Sequence, residues 1–327
     1  MSNHKTVLVT GSNAGLGLEA ARQLASKPEW DRIVLSARSE AKAQGARDTI
    51  MAATNRPASD FEYLILDLIE PASVDAALSD VVARDLHFDA LVLNAGGMAT
   101  SDSQGMVRAS SGLSKLFAMN VGGHARLVEG LLAADRIRPG ATVVFAGSEA
   151  SRGIPMMRAK AAILPDGYAN LDEALWAVAS GDHVQTKVDD MYEYGLVKML
   201  GTAWMTELAH RHGDQLRALS VSPGMTAGTS GADNMPGPMR VIMNWFAMPL
   251  MKALGKAHGV NSGAARYIQA LEDDGLDNGG FYASPGTGLV GPLTLQSPEQ
   301  QPLLVDEDFT RAVGRLVDRI ATDAVAA

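Results

Sequence analysis

The 327-residue sequence contains no cysteine. That excludes disulfides, thiolate nucleophiles, zinc–thiolate sites and iron–sulfur clusters, and it is compatible with a reducing compartment. There is no run of about 18 apolar residues, so no membrane-spanning helix is expected. The nearest stretch, "VIMNWFAMPLMKAL" (241–254), is too short and is interrupted by Asn244, Pro249 and Lys252. The first residues, "MSNHKTVLVTGS", lack the apolar segment of a signal peptide; a cytoplasmic location is expected. Positive charge is scarce: 28 Lys and Arg stand against 37 Asp and Glu, a net charge of −9. Nucleic-acid surfaces need clustered cations to replace phosphate counterions, and anionic membranes attract them too. Neither partner is expected, and no metal site is expected.

What is present is a globular composition, 46% apolar and 20% charged. The length fits one large or two ordinary domains and can bury a core without covalent staples. Short apolar, β-branched runs alternate with helical periodicity. "TVLVT" (6–10), "RIVLSA" (32–37), "FEYLILDL" (61–68), "FDALVLNAG" (88–96), "ATVVFAGS" (141–148), "LRALSVSPG" (216–224) and "GGFYAS" (279–284) read as strands. Between them, 16–26, 39–53, 71–85, 111–134 and 191–213 read as helices, and a last helix covers roughly 306–323. Near-continuous apolar strands separated by helices imply a parallel sheet covered on both faces. The expected fold class is α/β, a Rossmann-like doubly wound parallel sheet forming one domain over 1–327. Residues 284–304, rich in Gly, Pro, Gln and Ser, read as an exposed loop.

The stretch "TGSNAGLG" (10–17) lies between the first strand and the first helix. Glycine permits positive φ and lets a pyrophosphate approach the backbone. A helix N-terminus beyond it offers free N–H groups and partial positive charge. The spacing of Gly11, Gly15 and Gly17 differs from the G-x-G-x-x-G of other dinucleotide-binding folds. It resembles that of the short-chain dehydrogenase/reductase family. Further motifs agree in order: Asn94-Ala95-Gly96 after the fourth strand, Asn120 in "AMNVGG", Ser148 after the fifth strand, Tyr194 and Lys198 as Y-x-x-x-K, and "SPG" at 222–224.

On a helix, residues four apart share a face, so Tyr194 and Lys198 point together. Tyr192 is rotated from Tyr194 by about 200° and is expected to pack or to line the pocket. The resemblance implies Asn120, Ser148, Tyr194 and Lys198 as the catalytic group. A free phenol titrates near pH ~10, and the Lys198 ammonium is expected to lower Tyr194. Ser148 would hydrogen-bond the substrate oxygen, and Asn120 would support a water linking Lys198 to solvent. Ser151 is a rival hydroxyl. For the cofactor, the resemblance implies Gly11, Ser12, Asn13, Gly15, Leu16, Gly17, Asp67, Leu68, Asn94, Ala95, Gly96, Tyr194, Lys198, Pro223, Gly224 and Thr226.

An NAD site places a carboxylate at the end of the second strand. Here Ser36, Ala37 and Arg38 occupy that end. Arg38 can pair a 2′-phosphate, so NADP(H) is the expected cofactor. Residues 152–190 form an insertion between Ser148 and Tyr194, expected over the substrate side, with a short helix at 171–179. A methionine-rich region, 225–260 with Trp245 and Phe246, is the expected lid. The layout resembles the branch with retinol dehydrogenases, carbonyl reductases and protochlorophyllide reductases. It implies an NADP(H)-dependent oxidoreductase interconverting a carbonyl and an alcohol on a fairly large, mainly apolar substrate. The alternatives are a C=C reductase on the same scaffold and a non-catalytic dinucleotide sensor. A subunit contact on the Tyr194 helix is common in the family, and the insertion can cover it; monomer and homodimer both stand.

Overall fold

The computed structural model describes residues 5–98, 101–102, 105–184, 189–227 and 248–322. At its centre is an eight-stranded sheet. The strands are β1 (Lys5–Val9), β2 (Trp30–Ala37), β3 (Phe61–Ile65), β4 (Phe88–Leu93), β5 (Ile137–Ala146), β6 (Leu216–Val221), β7 (Phe281–Ala283) and β8 (Thr294–Leu295). Their order is β8-β7-β6-β5-β4-β1-β2-β3. All neighbours pair in parallel except β7 and β8, which are antiparallel. The stretch read as a plain loop, 284–304, therefore carries an edge strand that its glycine and proline content concealed. The helices of ten or more residues are α1 (Gly15–Ala25), α2 (Glu40–Thr54), α3 (Pro71–Ala83), α4 (the helical run 115–133), α5 (Leu171–Ser180), α6 (Asp190–His212), α7 (Val260–Glu272) and α8 (Glu307–Thr322). Among the described residues no helix is long and apolar enough to cross a membrane.

Successive strand residues face opposite sides of a sheet, and here both sides are buried. Val7, Val9, Ile33, Leu35, Ala90 and Val92 join the core under α1, α2 and α7. Leu8, Val34, Leu91, Leu93 and Phe145 join the core under α3, α4, α6 and α8. This is why these strands read as unbroken apolar runs. The chain winds from β1 outward to β3, then returns to β4 on the other side of β1. That reversal opens a crevice beyond the carboxyl ends of β1 and β4, where open α/β sheets bind ligands.

Two helical regions depart from simple expectation. The helix expected over 111–134 is interrupted: Lys115–Phe117 and Gly123–Ala133 are α-helical, but Ala118–Gly122 is π-helical. Asn120 lies in that wide turn, and its Nδ2 donates to the Leu116 carbonyl at 2.8 Å. A side chain inserted into the backbone ladder widens the helix in this way. On the outer face, α8 packs along α6 so closely that a Cβ on Gly314 would lie 2.8 Å from Glu207 Cγ. The insertion helix α5 joins α8 there. Arg315 pairs with Asp172 at 2.9 Å, and the Arg319 guanidinium stacks 3.6 Å from the centre of the Trp176 ring.

Candidate active site

A cavity of about 670 Å³ occupies the crevice. Its dinucleotide side is shaped by glycine. Gly11 and Gly15 have φ of +64° and +54°, values that favour glycine. A Cβ on Gly15 would meet nothing within 4 Å, leaving open space above the loop. A Cβ on Gly17 would sit 2.3 Å from the Gly11 carbonyl oxygen, so Gly17 lets α1 seat on the loop. Ser12 is fully buried and donates to the Ser36 carbonyl at 3.2 Å. Ser12 and Gly17 thus build the loop from behind, while Gly11, Asn13, Gly15 and Leu16 border the cavity. Ala14 offers no side-chain cap to α1, and its first turn has no acid. The leading N–H groups of a helix lack internal partners, so this end suits a phosphate.

The next loops close around the same space. Asn94 Nδ2 donates to the Thr10 carbonyl at 3.0 Å, and the Ala95 N–H donates to Thr10 Oγ1 at 2.9 Å. Arg38 is exposed at the cavity rim, and Asp67 and Leu68 border it beyond β3. Pro223, Gly224 and Thr226 border it beyond β6.

Tyr194 and Lys198 lie one turn apart on α6, and both border the cavity. Lys198 is buried, its Nζ donating to the Ala146 carbonyl at 2.8 Å and standing 5.5 Å from the centre of the Tyr194 ring. Burial pushes the lysine down to about 7. Ser148 follows β5, its Oγ accepting from the Ala150 N–H at 3.1 Å, and both Ser148 and Tyr194 border the cavity. A Cβ on Gly195 would lie 2.5 Å from the Ala150 carbonyl oxygen. The glycine after Tyr194 therefore lets α6 press against the serine loop. Ser151, the rival hydroxyl, is fully buried and donates to the Ser148 carbonyl at 2.9 Å. Tyr192 points elsewhere: its hydroxyl donates to the Ile163 carbonyl at 3.0 Å.

Two expectations change. The phenol of Tyr194 is not lowered. Burial pushes it up to about 12, the neighbouring Ser148 hydroxyl opposes that, and the nearby Glu149 carboxylate adds to it. Asn120 is fully buried and its amide is committed to protein. Besides Leu116 O, Nδ2 donates to Gly97 O at 2.9 Å, and Oδ1 accepts from the Gly97 N–H at 3.1 Å. It holds the Gly96–Gly97 loop, where a Cβ on Gly96 would fall 2.5 Å from Asn120 Oδ1.

The geometry agrees with comparisons to known proteins. The family model for short chain dehydrogenase matches residues 5–162. The short-chain dehydrogenase anuI of Penicillium roqueforti is 38% identical over 119 residues, 36% of this chain and 45% of that protein. The short chain dehydrogenase/reductase dpchH of Colletotrichum higginsianum is 29% identical over 238 residues, 71% of this chain and 57% of that protein. The crystal structure of L-sorbose reductase from Gluconobacter frateurii, complexed with NADPH and L-sorbose, superposes with a TM-score of 0.61 at 17% identity, covering 89% of this chain and 98% of that one. By these matches this chain is similar to the short-chain dehydrogenase/reductase family, in its first half by the family model and over most of its length by fold. It spans about half the length of the two curated relatives it matches here, 45% and 57%.

Ala150, Ile154 and Leu289 form a small buried apolar cluster, joined by Ala159, Met191, Tyr194 and Met225. The first part of the insertion thus stays beside Tyr194, whereas α5 runs to the outer face. Of the expected lid, residues 228–247, including Trp245 and Phe246, lie outside the described residues. Glu149, Ser222 and Tyr267 also border the cavity. Sequence reasoning placed Ser222 in the SPG motif without giving it a role, and missed Glu149 and Tyr267. Glu149 follows Ser148 directly, and that adjacency was the available signal; nothing local marks Tyr267.

Proposed function

We propose that the chain is an NADP(H)-dependent oxidoreductase that interconverts a carbonyl and an alcohol on a fairly large, mainly apolar substrate. The observation that carries this reading is the joint placement of Ser148, Tyr194 and Lys198 at one cavity whose far side is a glycine cradle at a helix N-terminus. The open space over Gly15 and the uncapped start of α1 fit a pyrophosphate. Arg38 at the rim suits a 2′-phosphate, and the NADPH bound by the sorbose reductase of similar fold accords with it.

A bound nicotinamide supplies the hydride. The chain supplies orientation and the proton. Ser148 Oγ holds the substrate oxygen where negative charge grows. Tyr194, raised to about 12, keeps its proton at neutral pH and donates it to that oxygen in reduction. Lys198, held at the end of β5 by the Ala146 carbonyl, is placed to stabilise the phenolate that remains. The apolar cluster around Leu289 and Ile154 sets the substrate character. α5 and α8 cover the outer side of α6, which favours a monomer over a dimer through that helix.

The test is oxidation of NADPH, beside NADH, over aromatic, aliphatic, retinoid and steroid carbonyls. Turnover with NADPH should fall by about 10²–10⁴-fold in Tyr194→Phe. Equal turnover by that variant would remove Tyr194 from the reaction, and turnover with NADH alone would remove the role of Arg38.

A further inference from the structure

Beside Ser148 stands a carboxylate that the proposed reaction does not use. Glu149 is 4% exposed and borders the cavity. A buried carboxylate needs donors on both oxygens, and here they come from distant segments. Oε2 accepts from the Ser222 hydroxyl. Oε1 accepts from the Ser284 N–H at 3.2 Å and the Ser284 hydroxyl at 2.9 Å. Arg266 Nη1 stands 3.6 Å from the same oxygen. That guanidinium also donates to Ser222 O at 2.9 Å, Ser284 Oγ at 2.9 Å and Gly291 O at 2.8 Å. From the other side, Arg152 donates to Ser284 O at 2.9 Å and Gly288 O at 2.6 Å, and to Gly286 O and Gln296 Oε1.

These contacts join three working parts. Ser222 opens the Pro223–Gly224 turn on the dinucleotide side. Residues 284–291 carry Leu289, whose carbonyl accepts from the Met225 N–H at 2.8 Å. Glu149 itself lies next to Ser148. There is no slack at the junction: a Cβ on Gly224 would fall 2.8 Å from Leu289 O and 2.9 Å from Arg266 Nη1.

We propose that Glu149 is a positioning residue that locks the Ser148 loop, the Pro223–Gly224 turn and the Leu289 wall into one unit, fixing where a substrate carbonyl stands relative to Ser148 and Tyr194. The catalytic half of this rests on the oxidoreductase reading above; the lock itself does not. The charged and titratable groups facing Glu149 are Arg152, Arg266, Tyr194, Tyr267 and His258. The arginines stay charged. Burial lowers His258 and raises Tyr267, so both are neutral near pH 7. Tyr194 is thus the group whose proton the carboxylate influences during turnover.

The experiment compares the full chain with Glu149→Gln and Glu149→Asp. Glutamine keeps the size but turns one oxygen into a donor facing donors and leaves Arg266 without its counter-charge. Amide hydrogen exchange should quicken across 222–226 and 284–291 and stay unchanged across 11–17. NADPH affinity, read by fluorescence titration, should change less than about threefold. With a turned-over carbonyl, kcat should fall by about 10–100-fold with a smaller change in KM, and the alkaline limb of the pH profile should move to lower pH. Aspartate, shorter by one carbon, should restore the limb but not kcat. Unchanged exchange in Glu149→Gln overturns the lock. If that variant does not fold, Ser284→Ala, which removes one of the donors to Oε1, gives the same exchange readout and decides in its place. Exchange that quickens in Glu149→Gln, together with no turnover by the wild-type chain on any substrate, leaves the lock standing and overturns the oxidoreductase reading instead.

Discussion

The two sides of the cavity are held by opposite means. On the dinucleotide side, distances are set by side chains that are missing: Gly17 against Gly11 O and Gly96 against Asn120 leave no room for a Cβ. On the substrate side, distances are set by side chains that are present and charged, with Glu149 bonded across 135 positions to Ser284 and Arg152 across 136 to Gly288. Backbone contact fixes one shape for one kind of ligand. A side-chain network can be rebuilt around another ligand while the chemistry between the two sides stays in place.

The largest effect is expected from adding one carbon on the glycine side. In Gly17→Ala the new methyl would fall 2.3 Å from a backbone oxygen, which cannot swing aside. Overpacking of this kind costs about 1–3 kcal/mol and displaces the loop that would cradle the pyrophosphate. We expect NADPH binding to drop below detection in a fluorescence titration, with a lowered melting temperature. Binding within twofold of wild type would show that the loop is not the cradle.

This contrast also explains what could be read from the sequence. Gly11, Gly15, Asn94, Ser148, Tyr194 and Lys198 were legible because each sits at a fixed offset from the end of a strand or within one helical turn, and local spacing survives in sequence. The succession of β1 to β7 along the chain was legible for the same reason. Glu149, Ser222, Arg266 and Ser284 were not, because their meaning arises only when β5, β6, β7 and α7 are side by side. The π turn at Asn120 was hidden too: the residues on either side carry ordinary helical periodicity, and only the approach of Gly97 diverts the amide. The pKa of Tyr194 was misjudged because a neighbouring lysine is visible in sequence and burial is not.

The second effect sharpens the dinucleotide side. Arg38 is exposed at the rim, so its contribution should be one charge-assisted contact to a 2′-phosphate, about 1.5–3 kcal/mol. In Arg38→Ala the preference for NADPH over NADH, measured as a ratio of dissociation constants, should shrink by about 10–100-fold. An unchanged ratio would place phosphate recognition elsewhere. The matching cut on the other side is Leu289→Ala. It opens space in the apolar cluster next to Tyr194 and should shift kcat/KM toward bulkier carbonyls by about tenfold, with NADPH affinity unchanged. A parallel loss of NADPH affinity would mean that the two sides are not separable.

The smallest effect at neutral pH is expected at His124, where the glycine loop meets the Asn120 turn. It is fully buried, with Nε2 2.9 Å from Thr10 Oγ1 and Nδ1 3.2 Å from the Asn120 carbonyl. The carbonyl can only accept, so Nδ1 carries the proton and Nε2 accepts from Thr10. Burial pushes this imidazole down to about 3, and the nearby Lys198 charge acts in the same direction. An unfolded histidine titrates near pH ~6.5. Between about 6.5 and 3 the unfolded chain therefore binds a proton that the folded chain refuses, so stability falls as pH falls and this contribution flattens below about 3. Glutamine at this position offers one donor and one acceptor but cannot titrate. At pH 7.5 His124→Gln should lose only about 1–2 kcal/mol, the strain of an imperfect pair of hydrogen bonds. As pH drops from 6.5, the melting temperature of the wild type should fall faster than that of the variant, and the two should converge. A difference constant from pH 7.5 to 4 would mean that the imidazole takes its proton in the folded state, and that the Thr10–His124–Asn120 chain opens without cost.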